Sequence, residues 1–331
     1  MGVVALLAAP TALHAQITLY GIVDAAVEYS NPAANQAYYG AGSNAVGTAR
    51  VISSGNGNSK GSRFGLSGSE DLGGGLKAIF TIETRLDLST GQQADSSTFW
   101  NAQSWVGLAG DWGQLTAGRQ YAPMFSALVR VDASGDQWYG TLGSSARYQT
   151  RFDNSVEYQS PTWQGLRFDG LYAFGETSPA NTNSAAASLT WDRGPIVAAA
   201  AWQQIAQGAS GKTVQYAATA AWRFGGRNQV GLGFIRNDPP GGGNNIDYPF
   251  LTTRFGLGHG SLYFNLIRSD FESGLKNSYR YAFAYDWPLS KRTKLYAAAS
   301  IDTDVQYPQS TVAAPVYLEA QRYALGIRHD F

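Results

Sequence analysis

Three histidines, no cysteine and no phosphate-cradling loop leave this 331-residue sequence few routes to catalysis. His14 lies in an apolar N-terminal stretch, His259 in a short turn, and His329 two residues before the terminal Phe331. None is placed to complete a Ser-His-Asp arrangement or a histidine-bound metal site. Zero cysteines also remove disulfides and thiolate-ligated metals. Gly73–Gly75 and Gly241–Gly243 lack the Gly-Lys-Ser/Thr ending and the following helix of a phosphate loop, so they read as a tight turn and an external loop. Glu70-Asp71 pairs two carboxylates at a turn, where solvated charge is the ordinary reading. No cofactor and no metal is expected. What remains is fixed charge: Arg63, Arg119, Arg130, Arg147 and Arg151, with Asp132 and Asp136. Such groups act through their field, which matters most where low-dielectric walls enclose a narrow aqueous path.

Whether such a path exists depends on the elements that carry these residues. In Leu76–Leu88 the side chains of Leu76, Ala78, Phe80, Ile82, Leu86 and Leu88 fall on one face. Lys77, Thr81, Glu83, Arg85 and Asp87 fall on the other. Tyr279, Tyr281, Phe283, Tyr285 and Trp287 oppose Ser278, Arg280 and Asp286, and Leu166, Phe168, Tyr172 and Phe174 oppose Arg167 and Asp169. A period of two is a strand signal. Sixteen such segments begin near residues 17, 62, 76, 101, 115, 151, 166, 184, 196, 212, 229, 247, 261, 277, 293 and 319. Their connections alternate in length. Short ones (71–75, 110–113, 161–165, 192–195, 225–228, 258–260, 288–292) interleave with long ones such as 30–61, 89–98 and 121–146.

Alternation alone suits a soluble β-sandwich as well as a membrane barrel; short turns on one side and long loops on the other select an all-β, 16-stranded antiparallel transmembrane β-barrel. Trp112, Trp163, Trp191, Trp222 and Trp287 each sit beside a short turn, as an aromatic girdle at one membrane interface requires. Residues 1–15 read as the remnant of a secretory signal, with Leu13-His14-Ala15 as cleavage site, Gln16 as first mature residue, and a true start upstream of Met1 because the basic n-region is missing. Residues 16–331 then form the barrel. Beyond residue 15 no apolar run approaches the ~18–20 residues of a membrane helix. The formal charge, 24 Lys+Arg against 24 Asp+Glu, argues against a nucleic-acid partner.

Several stretches resemble the general porins of β-proteobacteria. They are Gln16-Ile-Thr-Leu-Tyr-Gly-Ile-Val-Asp24, Ser62-Arg-Phe-Gly-Leu-Ser-Gly-Ser-Glu-Asp-Leu-Gly-Gly-Gly-Leu-Lys77, Ser104-Trp-Val-Gly-Leu108 leading to Gly118-Arg-Gln-Tyr121, Asn154-Ser-Val-Glu-Tyr-Gln-Ser-Pro161, and Gly326-Ile-Arg-His-Asp-Phe331. The alternating Tyr323, Leu325, Ile327, His329 and Phe331 also resemble the closing strand that outer-membrane assembly recognises. The resemblance implies localisation in a Gram-negative outer membrane, assembly as a homotrimer, and passive diffusion of ions and small hydrophilic solutes. It also implies a third external loop, here residues 121–146, folded into the lumen.

On that reading Arg63, opposite in phase to Phe64 and Leu66, points into the lumen. Arg151 is out of phase with Val156 and Tyr158, and Arg147 shares its phase. Arg119 resembles a constriction arginine of the family, yet its parity matches Leu115 and Ala117, so the strand must bulge or end at Gly118 to turn it inward. Asp132 and Asp136 would face these arginines from the infolded loop. Asn101-Ala102-Gln103 stands where the family often carries a further arginine, which limits the expectation to a weak anion preference. Two alternatives stay open: a substrate-specific outer-membrane channel, and a barrel enzyme using carboxylates alone.

Overall fold

The computed structural model describes residues 16–39, 46–53, 59–95, 97–175, 183–242, 245–272, 275–306 and 317–331. The signal remnant expected at residues 1–15 lies outside them. All sixteen alternating segments are antiparallel strands, and each starts within two residues of its expected position. In chain order they are β1 (Gln16–Ser30), β2 (Arg63–Gly73), β3 (Leu76–Asp87), β4 (Gln103–Gly110), β5 (Gly113–Tyr121), β6 (Arg151–Gln159), β7 (Leu166–Ala173) and β8 (Ser184–Arg193). There follow β9 (Ile196–Ala206), β10 (Lys212–Phe224), β11 (Asn228–Asp238), β12 (Ile246–Leu257), β13 (Gly260–Phe271), β14 (Ser278–Pro288), β15 (Thr293–Gln306) and β16 (Tyr317–Asp330). Each pairs with the next, and β16 returns to β1 from Ile22↔Asp330 to Ser30↔Arg322. The sheet is therefore a closed sixteen-stranded barrel. Helix α1 (Pro32–Tyr39) and a short strand, Thr48–Ile52, belong to the first long loop.

Closure is finished by the terminal residue. Phe331 and Gly21 exchange two backbone hydrogen bonds of 3.1 Å each. The Phe331 ring lies over Gly21, where an added Cβ would come within 2.3 Å of it. The outer face is apolar: Leu19, Val27, Val106, Leu232 and Leu325 are among its exposed side chains. The five tryptophans beside short turns all point outward, between 38% and 71% exposed. A belt of this extent is stable against hydrocarbon and not against water. The inner face carries buried polar groups such as Thr81, Gln120, Glu157, Gln203 and Asn265.

The long connection between β5 and β6 folds inside. Its helix α2 (Pro123–Val131) starts with proline at the first position, where no backbone N–H is needed. Met124 and Leu128 of this helix pack on Ala201, Ala217, Ile235 and Phe250 of the wall, and Val131 on Val197 and Ala221. Alanines on the inner faces of β9 and β10 leave the width the helix needs. Beyond α2 the chain is bonded along the wall. Gln229 Nε2 donates to the Val131 carbonyl (2.9 Å), Thr252 Oγ1 accepts from the Ala133 N–H (3.1 Å), Asn265 Nδ2 donates to the Gly140 carbonyl (2.9 Å), and Tyr139 OH donates to Glu28 (2.7 Å). The loop thus lines the barrel from β7 round to β1.

Gly231 marks a close approach of loop and wall, since a Cβ there would sit 2.3 Å from the Val131 carbonyl oxygen. Replacing Gly231 with leucine should cost about 1–3 kcal/mol of overpacking and lift the loop from the wall. Limited trypsinolysis of the folded barrel in detergent checks this, with cleavage at Arg130 about tenfold faster or more while the barrel stays folded.

Candidate pore constriction

With the loop against β7–β16 and β1, the water path runs between it and the inner faces of β2–β6. The antiparallel register of β2 and β3 sets Arg63 directly opposite Arg85. Both have the inward parity of Glu83, which accepts from Arg63 Nη1 (3.4 Å) and from Tyr20 OH (3.1 Å). Arg63 also donates through Nε to the Gly61 carbonyl (3.1 Å). Arg151, at the first position of β6, donates from Nε to the Ala102 carbonyl (2.9 Å) and stacks its guanidinium 4.5 Å from the centre of the Tyr121 ring. The Tyr121 hydroxyl accepts from Arg85 Nη2 (3.3 Å) and from Arg151 Nη2 (3.0 Å). One phenol oxygen therefore fixes two guanidiniums, and Phe125 of α2 stacks on the same ring at 4.5 Å. Of these three arginines only Arg63 is ion-paired among the described residues, to Glu83, so the cluster is positive. Lys60 adds to it from the loop before β2, where burial and the neighbouring Arg63 pull its ammonium below the ordinary lysine range.

The infolded loop supplies the opposite sign. The Asp136 carboxylate makes no ion pair among the described residues, and it interacts electrostatically with Lys60 and Arg85. Asp136 is held at positive φ (60°) and donates its N–H to Asp132 Oδ2 (3.1 Å). Asp132 does not join it at the water. It is buried and turns its carboxylate onto the loop's own backbone, accepting from the Ser134 N–H (2.9 Å) and Ser134 Oγ (2.8 Å). Burial pushes that carboxyl up to about 6.

The remaining residues singled out in the sequence lie elsewhere. Between Gly118 (φ 135°) and Gln120 the register shifts, and the extra residue lies on β6, where Asp153 and Asn154 oppose Arg119. Gln120 keeps the inward parity of Thr116, from which its Oε1 accepts (2.5 Å), and Arg119 keeps the outward parity of Leu115 and Ala117, ion-paired with the 71% exposed Asp153. Arg147 stands across the barrel beside Tyr248. Arg130 pairs with Asp192 (3.8 Å), which also holds Arg223 (2.7 Å) near a short turn. So the structure brings together Arg63, Arg151 and Asp136, and it adds Arg85, Lys60 and Tyr121. Arg85 was detectable from its inward parity in β3. Lys60 and Tyr121 sit where a strand meets a loop, and no periodicity marks them.

Comparison with known proteins agrees with this architecture. A family model described as Gram-negative porin matches residues 2–304. The chain is 26% identical over 373 residues to an outer membrane porin protein of Bordetella pertussis, covering 95% of this chain and 94% of that one. It is 32% identical over 213 residues to outer membrane porin protein 32 of Delftia acidovorans, covering 59% and 56%. Among solved structures, the anion-selective porin from Comamonas acidovorans superposes with a TM-score of 0.80 at 24% identity, covering 96% of this chain and all of the other. A trimer form of OmpT of Vibrio cholerae superposes at 0.66 with 14% identity, covering 96% and 99%. Closed barrel, lipid-compatible exterior, charged interior and matched family model lead to one assignment: the chain belongs to the Gram-negative porins and forms a channel in the outer membrane.

Proposed function

We propose that this porin prefers anions, and that Arg63, Arg85, Arg151 and Lys60 on the wall, facing Asp136 on the infolded loop, set that preference. The observation that carries this reading is the Tyr121 hydroxyl accepting from two guanidiniums at 3.3 and 3.0 Å, which holds like charges together beside the path. Solutes pass by diffusion, selected by size and by the field between wall and loop. Glu83 and Asp136 offset part of the wall's charge, so the preference is weak. Arg119, Arg147 and Asp132 are left out because the first faces outward, the second lines the far wall and the third is buried. The name of the Comamonas acidovorans structure supports the sign of the preference, and the trimer form of the Vibrio cholerae neighbour supports a homotrimer. Sedimentation in detergent tests the assembly, and a monodisperse monomer would refute it.

The charge assignment has a direct electrical test. A unit charge ~6 Å from a permeating ion in water is worth roughly 0.7 kcal/mol, with opposite signs for anion and cation. Reversal potentials of the purified channel under a KCl gradient should therefore show the anion-to-cation ratio falling about three- to tenfold in Arg151→Gln or Arg85→Gln, less at high salt. Asp136→Asn should raise it. Cation preference in the unaltered protein would sink the assignment and leave the channel in place.

A pH dependence follows from Lys60, whose charge is lost as pH rises and is lost earlier than for an ordinary lysine. Anion preference should decline on the alkaline side below pH 10.5. Reversal potentials measured from pH 7 upward in Lys60→Gln should show a lower and flatter profile, and an unchanged decline would assign it to another group.

A further inference from the structure

A second recess opens behind the infolded loop, across the barrel from the arginine wall. Its volume is about 320 Å³, and it lies on the long-loop side between α1, the end of the infolded loop, and strands β12–β15. Its charged lining is almost wholly committed. Arg280 is ion-paired with Asp302 and donates to Ser145 Oγ (2.7 Å) and Tyr38 OH (2.8 Å). Asp302 also receives Arg322 (3.4 Å), and Asp304 is paired with Lys276. Arg147 is the exception: its guanidinium has neither an ion pair nor a hydrogen bond among the described residues, and it is exposed at the rim beside Tyr248.

The backbone that presents Arg147 is strained and held from the wall. Its φ is 50°, a region a side-chain-bearing residue rarely adopts. Gln215 secures the kink from β10, donating from Nε2 to the Arg147 carbonyl (3.4 Å) and accepting from the Gln149 N–H (3.0 Å). Gln203 of β9 ties the same segment by donating to the Gln149 carbonyl (3.0 Å). Strain of this kind persists where surrounding structure enforces it, and it gathers at binding sites. Beside the guanidinium the recess is lined by Tyr248, Ile267, Phe271 and Val305, while the hydroxyls of Ser269 and Ser278 have no partner among the described residues. One uncommitted cation, an apolar wall and two free hydroxyls match a single ligand chemistry.

We infer that this recess is a binding site for small monocarboxylates with an apolar or aromatic body, the carboxylate on Arg147 and the body against Tyr248, Ile267 and Phe271. The site is separate from the constriction and requires no particular ion selectivity. An occupant would be retained on the long-loop side, out of the main stream, before it crosses.

Benzoate is the probe, with acetate as the carboxylate that lacks an apolar body. Calorimetric titration of the folded protein in detergent should give saturable binding of benzoate and none of acetate at the same concentrations. Arg147→Gln should weaken benzoate at least about tenfold, the scale of a lost charge-assisted hydrogen bond, with KCl conductance unchanged because Arg147 lies outside the constriction. Ser269→Trp, which fills the recess from β13 and leaves the Arg147 residue in the chain, should abolish saturation. Equal benzoate affinity in either variant would overturn the site, as would acetate binding as tightly as benzoate. A wild-type protein that conducts KCl but does not saturate with benzoate would refute the recess and leave the porin reading intact.

Discussion

A peptide chain in hydrocarbon has no water to satisfy its N–H and C=O groups, and the other features of this protein follow from that constraint. A sheet meets it only by having no edge. Here the edge is removed by the pairing of β1 with β16, sealed by the reciprocal hydrogen bonds of Gly21 and Phe331. Once the ring is closed, the pleat leaves each side chain only two destinations. That binary choice is what converts a sequence parity into a lipid-facing leucine or a water-facing arginine.

The interior is asymmetric, and the asymmetry has a packing cause. Alanines on the inner faces of β9 and β10 make a shallow bed for α2, and Gly231 allows the loop backbone to come still closer. The opposite arc bears long basic side chains and no such bed. Tyr121 joins the halves: its ring lies between Phe125 of the loop and Arg151 of the wall, and its oxygen anchors Arg85 and Arg151. Moving that ring would release both guanidiniums and the start of α2 together.

The barrel was legible because its signal is repeated sixteen times and depends only on alternation. Parity also placed Arg63 and Arg85 inward, and it placed Arg119 with Leu115 and Ala117, where the structure has it. Legibility fails where the chain leaves the pleat. β5 runs through Gly118 without the bulge that would have turned Arg119 inward, and the extra residue falls on β6 instead, at the point where resemblance alone would put Arg119 inside. Two loop aspartates four residues apart look equivalent in sequence, yet Asp132 is taken up by the turn that presents Asp136. Lys60 and Tyr121 take their positions from tertiary packing, which no local pattern encodes. Arg147 had a readable phase, but which wall it would stand against depended on how the infolded loop runs back.

The anchors of that loop are distant in sequence: Tyr139 on Glu28, Gly140 on Asn265, Ser145 on Arg280. Strands from both ends of the chain must be in place before the whole set of contacts can form, and the entropy of closing such long loops is offset by strand pairing. The width of the hole is thus held by a few contacts at long sequence separation. With the loop off the wall the same barrel would be a larger hole, so the membrane's permeability rests on these anchors as much as on the barrel that carries them.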